Sequence, residues 1–118
     1  MARKKYNPFI YRNFTVIRAV DGDTVELEVD VGFRTRYRDN FRLSGIDTPE
    51  RGQDGFTEAT ERLVALLGQY TGDLELMVTK RDKYGRYLVE IREVDSGFSI
   101  NQQMIIEGHA KAYHGGKR

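Results

Sequence analysis

The stretch TVELEVDVGFRTRYRDNFRL, residues 24–43, decides how this chain folds. Its first half alternates valine or leucine with acidic side chains. Its second half, after Gly32, places four arginines on one face and other side chains opposite them, which are Phe33, Thr35, Tyr37, Phe41 and Leu43. Alternation with a period of two predicts a strand that has one buried face. Acids on one strand beside arginines on the next predict an antiparallel pair with one wet face, the second strand starting at Phe33.

The rest of the chain predicts three more strands. They cover residues 14–20, 73–79 and 87–94, where β-branched, aromatic and leucine side chains recur between glycine- and aspartate-rich turns. A tight connection at residues 81–85 separates the last two strands. With the two strands of the opening stretch, this makes five.

Two helices are predicted between and after these strands. Apolar residues at helical spacing predict a first helix at 57–67, with Gly68 as the residue that ends it. Ser99 followed by Gln102 has the spacing of a capping box, so a second helix is predicted to begin there and to end at Gly108.

The order of elements is three strands, a helix, two strands and a helix. This is the order of an OB-type Greek-key barrel. We therefore predict an α+β fold, mainly β, consisting of a five-stranded OB-fold Greek-key barrel with two packed helices. Residues 13–118 form one domain, and residues 1–12 form a basic N-terminal arm whose residues 9–11 are apolar enough to dock. The last residues, 109–118, are predicted to form a short tail with a frayed end.

Composition limits the class of protein. A chain of 118 residues with 39% hydrophobic and 31% charged residues is an ordinary single globular domain. It has no cysteine, which excludes disulfides and thiolate metal sites. No apolar run approaches the roughly 18 residues of a membrane span, so no membrane partner is predicted. Because no apolar segment follows the basic start, we see no secretory signal and expect a cytoplasmic protein if Met1 is native; a signal removed earlier would leave the same sequence.

Charge is distributed unevenly although the net charge is only +1. Basic residues dominate residues 1–20 and 34–42, and acidic residues gather at 21–30 and 47–50. Basic stripes beside an acidic pocket fit a polyanion held near a cation. Solvated strand faces would give the same charge pattern, so charge alone leaves both interpretations open.

Carboxylates at two predicted strand ends suggest a metal site. If Asp23 and Asp47 converge, they and a backbone carbonyl would offer oxygen ligands suited to Ca²⁺, Mg²⁺ or Mn²⁺ rather than Zn²⁺. The alternative for a single aspartate near a turn is an Asx turn, which we expect for Asp21. His109 and His114 lie together near the C-terminus and are predicted to be surface residues rather than ligands.

Two separated arginines suggest a phosphate beside that metal. Arg42 and Arg86 could bind phosphate oxygens more tightly as negative charge builds in a transition state. Glu50, three residues after Asp47, could hold or deprotonate an attacking water. The alternatives are that Arg42 continues the wet arginine face and that Arg86 is an ordinary charge after a turn.

Four segments together resemble the staphylococcal nuclease family. They are DGDT at 21–24, FRL at 41–43, DTPE at 47–50 and DKYGR at 82–86, in the family's order and with its internal spacings. The resemblance covers about residues 14–113. It implies the family's five-stranded OB barrel and Ca²⁺-dependent hydrolysis of DNA and RNA, in which water attacks phosphorus and leaves 3′-phosphate ends. Mn²⁺ or Mg²⁺ remains possible as the metal.

The resemblance also implies roles for individual residues. Asp23, Asp47 and the Thr48 backbone carbonyl match calcium ligands, and Glu50 matches the proposed general base. Arg42 and Arg86 match residues that bind the reacting phosphate. Lys83 and Tyr84 match residues that contact a terminal phosphate of a bound nucleotide, and Tyr113 matches a tyrosine that lies against the base.

Three departures from the family pattern carry expectations. The 24–42 hairpin is longer than in the best-known member, and the loop after Glu50 is shorter. The sequence stops soon after Tyr113, where the family continues into another helix, so an oligomer contact, such as a dimer, or the basic arm is expected to cover that face. The alternative function is a non-catalytic OB module that binds nucleic acid as a scaffold. Retention of the acids and arginines favours the enzyme.

Overall fold

The computed structural model describes residues 9–69 and 73–113. Within these residues the fold is mainly β, with eight strands and two helices. The elements are β1 Phe9–Tyr11, β2 Phe14–Asp21, β3 Thr24–Gly32, β4 Thr35–Leu43, β5 Ile46–Asp47, α1 Phe56–Gln69, β6 Leu74–Arg81, β7 Tyr87–Glu93, α2 Ile100–Ile106 and β8 Lys111–Ala112. Neither helix is long and apolar enough to cross a membrane.

Six of the strands form one mixed sheet. Its order is β1-β6-β7-β4-β3-β2, while β5 and β8 pair separately. All neighbours run antiparallel except β4 and β7, where Arg42 lies opposite Leu88 and Leu43 opposite Val89. β1 and β2 lie at the two ends of this order, although residues 12–13 alone separate them along the chain.

The β3–β4 pair has the wet face that the alternation predicts. Glu28 lies opposite Arg38 and Asp30 opposite Arg36, in antiparallel register. The prediction that β4 begins at Phe33 is wrong, because Phe33 and Arg34 form the two-residue turn and have positive φ. β4 therefore starts at Thr35.

One hydrophobic core lies between the sheet and the helices. The alternate residues of β3 face it, as does the stripe of α1 that the helical spacing identified. Its buried members are Val25, Leu27, Val29, Phe41, Leu43, Ile46, Ala59, Leu63, Leu66, Leu76, Val89, Ile91, Ile100, Met104 and Ala110.

The helix ends follow the sequence signals in one helix and not in the other. In α2, Ser99 Oγ accepts a hydrogen bond from the Gln102 N–H at 3.2 Å, and Gly108 has φ of +82° just after the helix, so both predictions are confirmed. The prediction that Gly68 ends α1 is wrong, because the helix continues to Gln69. A glycine at that position lowers helix stability but does not by itself stop the helix.

Parts of the predicted N-terminal arm and of the predicted C-terminal tail form strands in the structure. Residues 1–8 and 114–118, with His114, lie outside the described residues. The apolar end of the arm forms β1 and pairs with β6. The start of the tail forms β8, after which the Tyr113 N–H donates to Gly45 O at 2.9 Å. This pairing brings Tyr113 toward the Asp47 segment. His109, predicted to lie at the surface, is partly buried.

Candidate active site

A cleft of about 1310 Å³ opens beside the β6–β7 turn and the ends of β2, β3 and β4. Apart from Asp47, every site residue predicted from the sequence lines it. These residues are Asp23, Arg42, Thr48, Glu50, Lys83, Tyr84, Arg86 and Tyr113. Residues from distant parts of the chain therefore meet at one surface.

Arg42 is the buried centre of this cleft. Because β4 alternates, Phe41 and Leu43 enter the core while Arg42 lies on the opposite face. Its Nη1 lies 2.8 Å from Asp23 Oδ2, and its Nη2 lies 3.4 Å from Asp47 Oδ1. The arginine predicted to bind phosphate thus holds both carboxylates predicted to bind metal. This also places Asp47 at the site.

Asp23 is fixed from several directions. Its Oδ2 also accepts the Thr48 N–H at 3.0 Å, and its Oδ1 accepts the Thr24 hydroxyl at 3.2 Å. Burial raises the pKa of Asp23, but its hydrogen bond with Asp21 and the charge of Arg42 outweigh burial and lower the pKa overall. Asp23 is therefore an ionised carboxylate that is almost completely buried from solvent.

Asp21 is the neighbouring carboxylate with the opposite shift. Burial, followed by the hydrogen bond and negative charge of Asp23, raises the pKa of Asp21 to about 6. Its Oδ1 accepts the Asp23 N–H at 3.0 Å, which is the Asx-type turn contact expected for this residue. Asp21 is therefore a carboxyl group whose charged form is disfavoured mainly by burial and further by its neighbour Asp23.

Gly22 lets the Asp21–Asp23 turn approach the rest of the site. A Cβ at this position would lie 2.8 Å from both the Ala59 Cβ and the Thr48 Oγ1. The Thr48 hydroxyl is buried and has no hydrogen-bond partner among the described residues. Gly22 therefore serves close packing between the turn, α1 and Thr48, whereas the sequence indicated only a turn.

Asp82 organises the loop that carries Arg86. Its Oδ1 accepts the backbone N–H groups of Tyr84 and Arg86, both at 2.9 Å. Its Oδ2 accepts Arg86 Nε at 3.0 Å and lies 2.9 Å from Nη2. Burial raises the pKa of Asp82, but the backbone donors and the Arg86 charge lower it overall. The sequence identified this motif but missed that Asp82 orients its arginine.

Aromatic rings lie beside the cations of the cleft. The Tyr84 ring is 73% exposed, with Lys83 Nζ 5.3 Å and Arg86 Cζ 5.7 Å from its centroid. The Arg42 Cζ lies 5.6 Å from the Tyr113 centroid. Rings at these positions could lie against nucleobases while the cations face phosphates.

Glu50 stands at the exposed rim of the cleft. Its backbone is held in a turn, because its N–H donates to Gln53 Oε1 at 2.7 Å and its carbonyl accepts the Gln53 N–H at 2.9 Å. The turn therefore fixes the main chain that carries the Glu50 carboxylate. Gln53 was not identified from the sequence, since a glutamine in a polar loop gives no distinct signal.

Asn101 supports the site from behind and was also missed. It is 1% exposed, and its side-chain oxygen accepts the Ile91 N–H. Its amide donates to the carbonyls of Ser44 and Val89 at 2.9 and 3.0 Å. The β4–β5 turn that leads to Asp47 is thereby tied to α2 and β7.

The chemistry of the donor groups fits a hard cation. Asp23, Asp47 and the Thr48 carbonyl offer oxygen atoms, which Ca²⁺, Mg²⁺ and Mn²⁺ prefer. Within residues 9–69 and 73–113, no three acidic, histidine or cysteine side chains form a ready cage. A cation would therefore depend on backbone carbonyl and solvent oxygens as well.

Comparison with known proteins places this geometry in a family. The model of a family described as staphylococcal nuclease homologue matches residues 40–118. Micrococcal nuclease of Shigella flexneri is 36% identical, over 83% of this chain and 56% of that protein. This chain thus spans little more than half the length of that relative. The family match includes Arg42, Asp47, Glu50 and Arg86. The chain belongs to the staphylococcal nuclease family.

Proposed function

We propose that this protein is a calcium-dependent nuclease that hydrolyses phosphodiester bonds of DNA and RNA, with water attacking phosphorus and 3′-phosphate ends as products. The observation that carries the proposal is the convergence of Arg42, Arg86 and Glu50 on one cleft that also contains Asp23. Residues of these types at one surface provide both charge stabilisation and a base for phosphodiester hydrolysis.

The two arginines serve the reacting phosphate. Negative charge on the phosphoryl oxygens grows during attack, and guanidinium groups already fixed in place stabilise it without reorganising. Asp82 fixes Arg86 through the contacts at 2.9–3.0 Å, and Asp23 fixes Arg42. Arg86, with its side chain 33% exposed, is the more accessible of the two and is assigned to the leaving oxygen as well.

Glu50 is assigned to the attacking water. Its position at the rim lets the carboxylate take a proton from a water that approaches a phosphate held by the arginines. A bound Ca²⁺, or Mn²⁺ or Mg²⁺ in its place, would be held by Asp23, Asp47 and the Thr48 carbonyl and would neutralise phosphate charge. Arg42 contacts one oxygen of Asp23 and one of Asp47, which holds the two carboxylates near each other.

The flanking residues bind the rest of the nucleotide. Lys83 and Tyr84 face a terminal phosphate, and Tyr113 lies against a base. Stacking on an aromatic ring tolerates any base, which suits action on both DNA and RNA.

The strand pairings support an OB-type barrel as the scaffold. β1 pairs with β6 at one edge of the six-stranded sheet, and β2 pairs with β3 at the other edge. Because β1 and β2 are consecutive in the chain, the short segment between them connects the two edges. Counted as one bent strand, β1 and β2 give five strands in the Greek-key order of the OB fold. In this fold nucleic acid commonly crosses the strand faces and the adjoining loops.

The competing function is a non-catalytic scaffold that binds nucleic acid. One observation favours it: Arg42 is only 4% exposed and is already held by two carboxylates. A scaffold would bind strands with no change in their length, and neither cation nor Glu50 would matter to it.

Cleavage assays separate the two functions. Plasmid DNA, denatured DNA and RNA are incubated with the full chain and Ca²⁺, with and without chelator, and product ends are identified. We expect chelator-sensitive cleavage that leaves 3′-phosphates. Glu50→Ala and Arg86→Ala should each lower kcat by about 100-fold or more. Arg92→Ala is the control, because Arg92 lies at the far end of β7 and does not line the cleft. Intact substrate after incubation with folded protein would contradict the proposed activity.

A further inference from the structure

The end of the β3–β4 hairpin projects from the body of the protein. Residues 31–39 are exposed on both faces, whereas Thr24 and Leu43 at the other end of the hairpin are buried. Phe33 at the tip is 100% exposed. An aromatic side chain that buries no surface adds nothing to the hydrophobic stability of the fold. A contact outside the chain would give it a role.

The tip is also conformationally strained. Gly32 pairs with Thr35, so Phe33 and Arg34 form a two-residue turn. Their φ angles are +55° and +59°. Turns of this kind favour Asn-Gly or Gly-Gly, because a side chain larger than that of asparagine is unfavourable in the left-handed region. Strain of this type persists mainly where function maintains it.

A row of arginines connects the tip with the cleft. Arg36 and Arg38 occupy alternate positions of β4 and so share a face with Arg42, which lines the cleft. Their side chains are 62% and 55% exposed. Arg34 follows in the turn at the tip and makes no ion pair among the described residues. From Arg42 in β4 to Arg34 in the turn the chain spans about 25 Å.

The acids on the neighbouring strand pair with Arg36 and Arg38, and Asp30 also lies opposite Arg36, but they leave Arg34 without an ion pair among the described residues. Glu26 accepts hydrogen bonds from Arg18 at 3.0 Å and from Arg38 at 2.9 Å, which occupies both of its oxygens. Glu28 lies 3.7 Å from Arg36. Each guanidinium carries five N–H donors, so donors remain for a phosphate after these contacts.

We propose that the hairpin tip is a second contact for the nucleic-acid strand whose phosphodiester lies in the cleft. Phe33 lies against a base, Arg34 contacts a phosphate, and Arg36 and Arg38 follow the backbone between tip and cleft. Cations that interleave with an aromatic ring match a polyanion with flat bases. This inference rests on the proposed function and adds a substrate class, strands long enough to reach from cleft to tip.

The test replaces the tip with the sequence that its turn prefers. Phe33→Asn combined with Arg34→Gly should raise the Tm by about 4 °C, because the strain is relieved. Binding is measured by fluorescence anisotropy, with chelator present, on labelled oligothymidylates of about four and about twenty nucleotides, which bracket OB-type site sizes. The affinity ratio of long to short strand should fall about tenfold, and the slope of log affinity against log salt should weaken by about 0.7.

Arg92→Gln is the matched control. It removes one charge from an ion pair with Glu75 at 3.0 Å. Because β7 runs parallel to β4 with Val89 opposite Leu43, Arg92 lies beyond the end of β4 that is farthest from the tip. This variant should keep the parent's affinity ratio.

Three outcomes would overturn the proposal. The affinity ratio could stay unchanged in the tip variant, or the Tm could fall, which would make Phe33 a structural residue. Sedimentation could instead show a dimer of the parent that the tip variant dissociates, which would make a second copy of the chain the partner. Binding is read without Ca²⁺ and without cleavage, so a failure of the nuclease proposal would appear in the cleavage assay and leave this result readable.

Discussion

Replacing Arg42 with methionine should strongly destabilise the fold. The side chains of Arg42 and Asp23 are 5% and 8% exposed and lie 2.8 Å apart. Removing one partner of a buried pair leaves the other charge without compensation, which typically costs about 3–5 kcal/mol. Arg42 also donates to Ile46 O at 3.1 Å, and that carbonyl would lose its partner. We therefore expect Arg42→Met to lower the free energy of unfolding by about 4 kcal/mol, a large part of the 5–15 kcal/mol typical of a domain.

Urea unfolding followed by far-ultraviolet circular dichroism measures this loss, since the chain has no tryptophan. Arg38→Met is the matched control, because Arg38 makes an ion pair of similar length, 2.9 Å, to Glu26 while its side chain is 55% exposed. Exposed pairs contribute little, so the control should lose less than about 1 kcal/mol. The difference between the two variants isolates the effect of burial.

A double-mutant cycle tests whether Asp23 is the partner responsible. Asp23→Asn combined with Arg42→Met removes both charges, so the coupling energy should be about 2 kcal/mol or more. Ca²⁺ should also stabilise Arg42→Met more than the parent, because a cation would replace the lost guanidinium charge. A loss below about 1 kcal/mol for Arg42→Met, or strict additivity in the cycle, would refute the reasoning.

Four further predictions concern packing, helix propensity, loop geometry and pH. Gly22→Ala should lower the free energy of unfolding by about 1–3 kcal/mol, because its Cβ has no space. Gly68→Ala, in an open helical position, should raise that free energy by about 1 kcal/mol in the same urea titration. Asp82→Asn should lower kcat for oligonucleotide cleavage about tenfold, because Arg86 loses its negatively charged partner. A kcat equal to the parent's would count against this role. Hydrogen bonds from Arg62 and Gln103 lower the pKa of Glu107 to about 2. The stability they provide is therefore present above pH of about 4.5 and lost as pH falls toward about 2. Arg62→Gln should weaken this acid dependence in urea titrations, because only the Gln103 hydrogen bond at 2.8 Å remains.

Local patterns were sufficient to predict most elements of the fold. The alternation in residues 24–31 specified β3 because a strand with one buried face needs that period. Ser99 and Gly108 marked the ends of α2 because the signals lie in the side chain and backbone of single residues. The carboxylates and arginines of the cleft were identified through four short segments that distant strands bring together.

Features that depend on contacts between distant segments were not predictable in this way. The two-residue strands β5 and β8 are too short for a periodic signal and exist because their segments meet in the folded chain. In the sequence, Asn101 has no feature that distinguishes it from other polar helical residues. Its role depends on the hydrogen bonds to β7 and to the β4–β5 turn, which form only in the folded chain. Gly22 indicated a turn, while the closeness of Ala59 appears only once α1 is in place.

The contacts of the cleft also determine how changes at each residue should be interpreted. Arg42 and Asp23 are buried and compensate each other, so substituting either one alters the folding equilibrium as well as any chemistry. Glu50 is exposed, and Arg86 is held by Asp82 at the surface, so their variants should retain the parent's core. Loss of activity in these two variants can therefore be read as loss of transition-state stabilisation, whereas the buried pair requires activity to be normalised to the folded fraction.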